Sequence, residues 1–364
     1  MEFISYRQSV FLLSMILPVT GHFLLLPSIF YLAGHEAWIS ILLAMPIGIF
    51  FAFVLFRLHT IYPSNSFDEM LIKTFGKLVG NFLNILLLVY FLYLILITFY
   101  GLLDFIQVIF LPETPRWAIT LPFFLVVLYA IHVGIESITR ISEALLPIII
   151  FTGSTIGIGT MTEKNYKLLF PVFENGLIPL TGGVILTAAL YGEMIILLMV
   201  NLKKDYSKSK SLLFTNTILV VLITIMFLGT VTGTLSVFGE ELVRTLEYPA
   251  QSIVRIVSFG FIERFDIYGI AVIVFGSVIR TSVLQISIGQ IIRSWISRKK
   301  TKWPIHLVLI IFIIFYSLMF IETHREFVSI YITRFYSFTV IVSLGLPFIT
   351  WIGAEIRKKK SSKA

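Results

Sequence analysis

Apolar stretches of about 20 residues, each long enough to cross the hydrocarbon of a bilayer as a helix, recur along nearly all of this 364-residue chain. Ten such spans are expected, over residues 9–32, 37–57, 80–110, 116–134, 141–161, 177–201, 211–237, 266–292, 303–321 and 330–354. Charged residues make up 13% of the chain and hydrophobic ones 57%, with mean hydropathy +0.96. Soluble domains carry about 25% charge, so lipid must serve as solvent for much of this surface. The formal net charge of +8 sits in short loops between the apolar runs, which points to membrane lipids and topology rather than nucleic acid. No basic region precedes the first run, so it reads as a retained helix rather than a cleaved signal. With no cysteine in the chain, disulfides and thiolate metal sites are excluded.

The basic residues also orient the chain. With both termini in the cytoplasm, 19 Lys and Arg fall in inside segments and 8 in outside segments, and Arg280 alone lies within a span. That bias supports an even number of crossings. Two connections read as more than linkers. Residues 64–79 form a short amphipathic helix with Phe67, Met70, Leu71 and Phe75 on one face. Residues 238–265 read as an external surface helix covering the entrance to a bundle.

The first span carries Pro18-Val-Thr-Gly-His-Phe-Leu-Leu-Leu-Pro27. Pro18 has no backbone N–H and crowds the preceding turn, and Gly21 is conformationally permissive, so the helix is expected to break there. Broken helices at membrane depth build the binding sites of many secondary transporters. Freed N–H groups at Thr20, Gly21 and His22 would attract a ligand carboxylate. The sixth span repeats Pro-x-Thr-Gly at Pro179-Leu-Thr-Gly182, and five spans on each side of the loop near 163–176 divide the chain into two repeats, 1–162 and 176–364. An odd number of spans per half makes the halves inverted.

Ionisable groups inside spans are costly and need a partner or a wet cavity. Glu193 lies in Tyr191-Gly192-Glu193-Met194, where Gly192 can open the helix and Tyr191 supplies an aromatic wall with a hydroxyl. It reads as a ligand-amine or cation site, as a structural partner of Arg280, or as a protonated carboxyl. Arg280, in Phe275-Gly-Ser277-Val-Ile-Arg280, reads as a clamp for a ligand carboxylate or as an internal ion-pair partner. His22 lines a site or is hydrogen-bonded structure. Thr98, Tyr100 and Asp104 cluster on the third span, either at the site or at the lipid interface. Pro18 and Ser277 complete the candidate ligand-binding set. Gly157-Ile-Gly159 reads as a close helix contact. Enzyme signatures are absent: there is no phosphate loop, HExxH, GxSxG or close His/carboxylate cluster. No catalytic residue, metal or cofactor is expected.

These motifs, in this order and spacing, resemble the endospore germination permease family, the B subunits of spore nutrient germinant receptors within the amino acid–polyamine–organocation superfamily. The resemblance rests on the Pro18–Pro27 motif followed by Ala37-Trp-Ile-Ser40, on Phe170-Pro-Val-Phe-Glu-Asn-Gly176, and on Tyr191-Gly-Glu-Met194. It covers nearly the whole chain. It implies an all-α, LeuT-like 5+5 inverted-repeat membrane fold with helices one and six broken. It also implies an amino acid or similar nutrient as ligand, a membrane A subunit and a lipoprotein C subunit as partners, and the inner membrane of the spore as location. Where amino-acid permeases of that superfamily carry Gly-x-Gly in the first break, this chain has Thr20 and His22 around Gly21. The expected function is nutrient sensing that triggers germination. A proton-coupled amino-acid transporter with Glu193 or His22 titrating, and a structural or conduit subunit, are the alternatives.

Overall fold

The protein is described by a computed structural model covering residues 3–173, 176–202, 209–256, 266–295, 303–321 and 323–361. These residues are almost entirely helical: they hold no strand, only an isolated bridge between Ile4 and Leu202. The α-helices are α1 Tyr6–Pro18, α2 Leu26–Ala33, α3 Ala37–Ile61, α4 Phe67–Phe75, α5 Lys77–Ile109, α6 Arg116–Val133, α7 Ile135–Gly159 and α8 Ile178–Gly192. They continue with α9 Ser209–Val243, α10 Pro249–Ile256, α11 Asp266–Trp295, α12 Trp303–Phe320, α13 His324–Glu326, α14 Tyr336–Val340 and α15 Leu346–Ser361. Eight helical runs among the described residues are long and apolar enough to cross a membrane, and Pro304–Phe320 is a shorter apolar helix.

Local chemistry explains the main boundaries. Ser5 starts α1 through a capping box: its hydroxyl accepts from the Gln8 backbone at 3.2 Å, and the Gln8 side chain accepts from Ser5 N at 2.9 Å. Pro18 ends α1, and Val19–Leu25 continues as a π-helix into α2. The extra residue per turn accommodates a proline without unwinding the chain. Gly34 then turns the chain at φ 51°, and a Cβ there would overlap the Glu240 carboxylate. Only glycine fits both the left-handed backbone and the close approach.

The core lies where α3, α5, α8, α11 and the π segment pack on one another. The run Ile178–Leu198 is its centre and is mostly buried, whereas most residues of α6 and α7 are not. α6 and α7 therefore present mostly apolar side chains to lipid. The amphipathic helix expected over 64–79 is α4, with Phe67, Met70 and Leu71 fully buried against its neighbours. The surface helix expected over 238–265 is present as α10, and residues 257–265 lie outside the described residues, as do Lys203–Lys208 of the basic connection.

Candidate functional site

Two ionisable side chains meet in the middle of this apolar core. Arg280 of α11 and Glu193, the residue after α8, have no solvent exposure and form a bidentate ion pair. Arg280 Nη2 donates to Glu193 Oε1 at 2.9 Å, and Nη1 donates to Oε2. Three hydroxyl groups complete the cluster. Thr20 in the π segment donates to Glu193 Oε2 at 3.1 Å. The Tyr336 hydroxyl at the start of α14 donates to Oε1 at 2.8 Å. Arg280 Nε donates to Thr98 Oγ1 on α5 at 2.7 Å, while Thr98 itself donates to Leu94 O at 2.6 Å. One carboxylate thus joins the first span, α8, α11 and α14, and the guanidinium adds α5. In a low-dielectric interior both charges must be paired and hydrogen-bonded, and here they are.

The fold brings four of the candidate residues, Thr20, Thr98, Glu193 and Arg280, into this one cluster. It places the others elsewhere. Tyr191, two residues before Glu193 in sequence, points away: its hydroxyl lies 2.7 Å from Thr224 Oγ1 and its ring packs over Gly48 of α3. Gly192 packs so tightly that a Cβ would overlap Ser343. Gly21 is less crowded, with Leu190 Cδ2 3.2 Å from an added Cβ. His22 sits edge-on to Phe227, 5.5 Å between ring centres, and its Nε2 has no hydrogen-bond partner among the described residues. Pro18 and His22 line a separate cavity that touches neither Glu193 nor Arg280. Ser277 is fully buried, and its hydroxyl has no hydrogen-bond partner among the described residues. Tyr100 packs against Phe327 at 4.8 Å, not against the ion pair.

Asp104 belongs to a second constellation. His324 Nδ1 lies 2.6 Å from Asp104 Oδ2, and the Tyr248 hydroxyl donates to the same oxygen. Tyr248 also stacks on Phe23 at 5.5 Å. This cluster ties the segment leading into α10 to α5 and α13. Sequence reasoning missed Tyr336, Tyr248 and His324. Tyr336 sits inside an apolar span, Tyr248 and His324 in the polar connections between spans, and nothing local marks any of them as a partner for a distant carboxylate.

Two backbone expectations meet different geometry. The first-span break is a π-helix, and Gly192 keeps helical angles of −58° and −27° while the chain tightens into a 3-10 segment, Glu193–Leu198. Thr20, Gly21 and His22 therefore stay within a helical run, because a change of pitch relieves Pro18 at less cost than exposing polar backbone in an apolar core. The close helix contact expected at Gly157 is also not formed among the described residues: no neighbouring element comes within 4 Å of where its Cβ would stand.

Comparison with known proteins agrees with the helical, membrane-embedded architecture. The chain is 26% identical over 294 residues to spore germination protein XB of Bacillus anthracis, covering 80% of this chain and 81% of that protein. It is 25% identical over 294 residues to spore germination protein KB of Bacillus subtilis, covering 77% and 75%, and 26% identical over 235 residues to spore germination protein YndE of the same species, covering 62% and 64%. The family model for the spore germination permeases matches residues 3–328. This chain, a helical membrane protein with a charged pair sealed in its core, belongs to the spore germination protein family of permeases.

Proposed function

We propose that this chain is the membrane-embedded B-type subunit of a spore nutrient germinant receptor, binding an amino acid or similar small nutrient near the bilayer midplane and triggering germination. The reading includes ten crossings in two inverted five-helix repeats, 1–162 and 176–364. In support, the helical run Tyr6–Ile61 has 56 residues, roughly 84 Å of helix against about 30 Å of hydrocarbon. It turns at Gly34 and so supplies two crossings. The apolar helix Pro304–Phe320 supplies one more beyond the eight long runs. Both termini lie in the cytoplasm, the membrane is the inner membrane of the spore, and a membrane A subunit and a lipoprotein C subunit complete the receptor.

The observation that carries the nutrient site is the buried Arg280–Glu193 pair hydrogen-bonded to Thr20. A zwitterionic amino acid complements both halves of that pair. Its carboxylate takes the Arg280 fork, and its ammonium takes the Glu193 oxygens. Inserting it separates α8 from α11 and releases Thr20 and Tyr336. The ligand then favours the opened arrangement by its difference in affinity for the two states, typically about 1–3 kcal/mol of coupling. Partner subunits read out that shift.

The test uses spores carrying Arg280→Lys, which keeps the charge and loses the bidentate fork, or Thr20→Val. A loss of sensitivity of tenfold or more to the nutrient, at normal protein level, is expected. An unchanged dose–response in both overturns the site. Saturable, gradient-driven uptake by the purified chain in proteoliposomes assigns the protein instead to proton-coupled amino-acid transport. One observation favours a structural subunit: Glu193 already accepts from Arg280, Thr20 and Tyr336, so the pair is complete without a ligand. On that reading Arg280→Lys lowers protein level and leaves the response of surviving receptors intact.

A further inference from the structure

A cavity of about 890 Å³ lies between α1, α7, α9, α10 and α11, within the range of roughly 300–1,000 Å³ typical of small-molecule sites. Its walls are overwhelmingly apolar, with Met15, Val19 and Phe23 on one side and Ile149, Leu222 and Ile273 on others. No Asp or Glu lines it among the described residues. An amino acid's ammonium would find no carboxylate there, so the cavity does not suit a zwitterionic nutrient.

The cavity opens sideways. Phe214 and Ile225 of α9 and Ile150 of α7 line it, yet are 67%, 64% and 44% exposed. Gly153 and Gly157 of α7 and Gly229 of α9 also line it, and each has open space where a Cβ would stand. α7 and α9 are both among the apolar membrane-length runs, so the solvent at this opening is acyl chain. The glycines hold the cleft wide by leaving it unfilled. Beyond the end of α7, Lys164 and Tyr166 form part of the rim. Lys164 Nζ donates to Gly157 O at 2.9 Å, and partial burial lowers its pKa. A neighbouring anion would offset that desolvation.

We propose that this cavity is a binding site for an anionic membrane phospholipid, with an acyl chain lying among α1, α7, α9 and α11 and the headgroup phosphate at Lys164 and Tyr166. The lateral opening gives the chain access, the apolar walls match it, and the rim lysine supplies the complementary charge. The inner wall includes Pro18 at the end of α1 and Val19 and His22 of the π segment, which flank Thr20, the residue that reaches Glu193. An occupying chain therefore braces the same segment from the side away from the ion pair.

The experiment places the purified full chain in nanodiscs containing phosphatidylglycerol with a diazirine on its acyl chain, irradiates it, and maps adducts by mass spectrometry. Adducts on peptides spanning 149–157 and 214–229 are expected at least threefold above those on lipid-facing α6. Gly153→Leu with Gly229→Leu fills open space and should remove most of that excess at unchanged folded yield. Lys164→Gln should lower labelling by the anionic probe and not by a phosphatidylcholine probe with the same tail. Adducts on α6 at the same density as on α7 and α9 overturn the proposal. So does excess labelling that survives both the filling pair and Lys164→Gln, or that a mixture of free amino acids displaces.

Discussion

Replacing Glu193 by Gln tests the central cluster most directly. The substitution preserves shape and leaves Arg280 fully buried, with a neutral amide in place of the carboxylate that takes two of its hydrogen bonds. Worse, an amide NH₂ in the place of Oε1 meets the donors Arg280 Nη2 and Tyr336, and one in the place of Oε2 meets Arg280 Nη1 and Thr20. Breaking a buried ion pair on one side costs about 3–5 kcal/mol, or roughly two to four powers of ten in the ratio of folded to unfolded protein. Arg280→Gln should cost a similar amount, because it strands the carboxylate. The double variant Glu193→Gln with Arg280→Gln buries two neutral amides and no charge, so its cost should fall below the sum of the singles by at least about 1 kcal/mol. Tyr336→Phe removes one hydroxyl donor from an ionised acceptor and should cost about 1.5–3 kcal/mol. Unfolding in mixed micelles, followed by the fluorescence of the five tryptophans, measures all four. Single-variant costs that add within about 0.5 kcal/mol, or a Glu193→Gln cost below about 1 kcal/mol, would refute the reasoning that this pair is a coupled, desolvated unit.

Further outcomes follow from local geometry. Gly192→Val drives a branched side chain into Ser343 and should lower folded yield sharply, whereas Gly21→Ala crowds only the flexible end of Leu190, with the Phe227 ring at ordinary contact distance, and should keep near-normal yield; quantitative membrane blots decide, with Leu43→Val on the exposed face of α3 as control. Asp104→Asn weakens the tie to His324 and Tyr248, so hydrogen exchange in α10 should speed up while exchange in α8 does not change. Burial raises the pKa of Asp68 at the start of α4 above 3.8, so its ionisation opposes folding: stability from this group is full below pH 3.8 and falls as pH rises through the folded-state pKa. Asp68→Asn should therefore stabilise the protein near neutral pH and lose that advantage below pH 3.8; an advantage that persists at low pH contradicts the assignment.

What was legible in the sequence was whatever depends on local composition. Apolar runs of sufficient length specify membrane helices because the bilayer demands internally bonded backbone. The amphipathic stripe of α4 followed from the spacing of Phe67, Met70 and Leu71, which one helical face must bury together. Glu193 and Arg280 were identifiable as partners because two opposite charges in apolar spans have few affordable alternatives to each other. Thr20 was legible as part of the site only because Pro18 and Gly21 marked its segment.

Tertiary structure alone decided the rest. Whether Pro18 produces an open break or a π turn depends on what surrounds the freed groups, and a buried, apolar core favours the turn that keeps the backbone bonded. Tyr336 became a ligand of Glu193 because α14 packs on α8, a contact between segments 143 residues apart. Tyr191 was turned toward Thr224 instead of Glu193 because residues two apart on a helix lie about 200° apart, so they face nearly opposite sides and meet different neighbours in space. Gly157 looked like a packing glycine, and only the divergence of α7 from α9 made it the edge of a cleft. A sequence records which groups need a partner; the packing of distant helices chooses the partner.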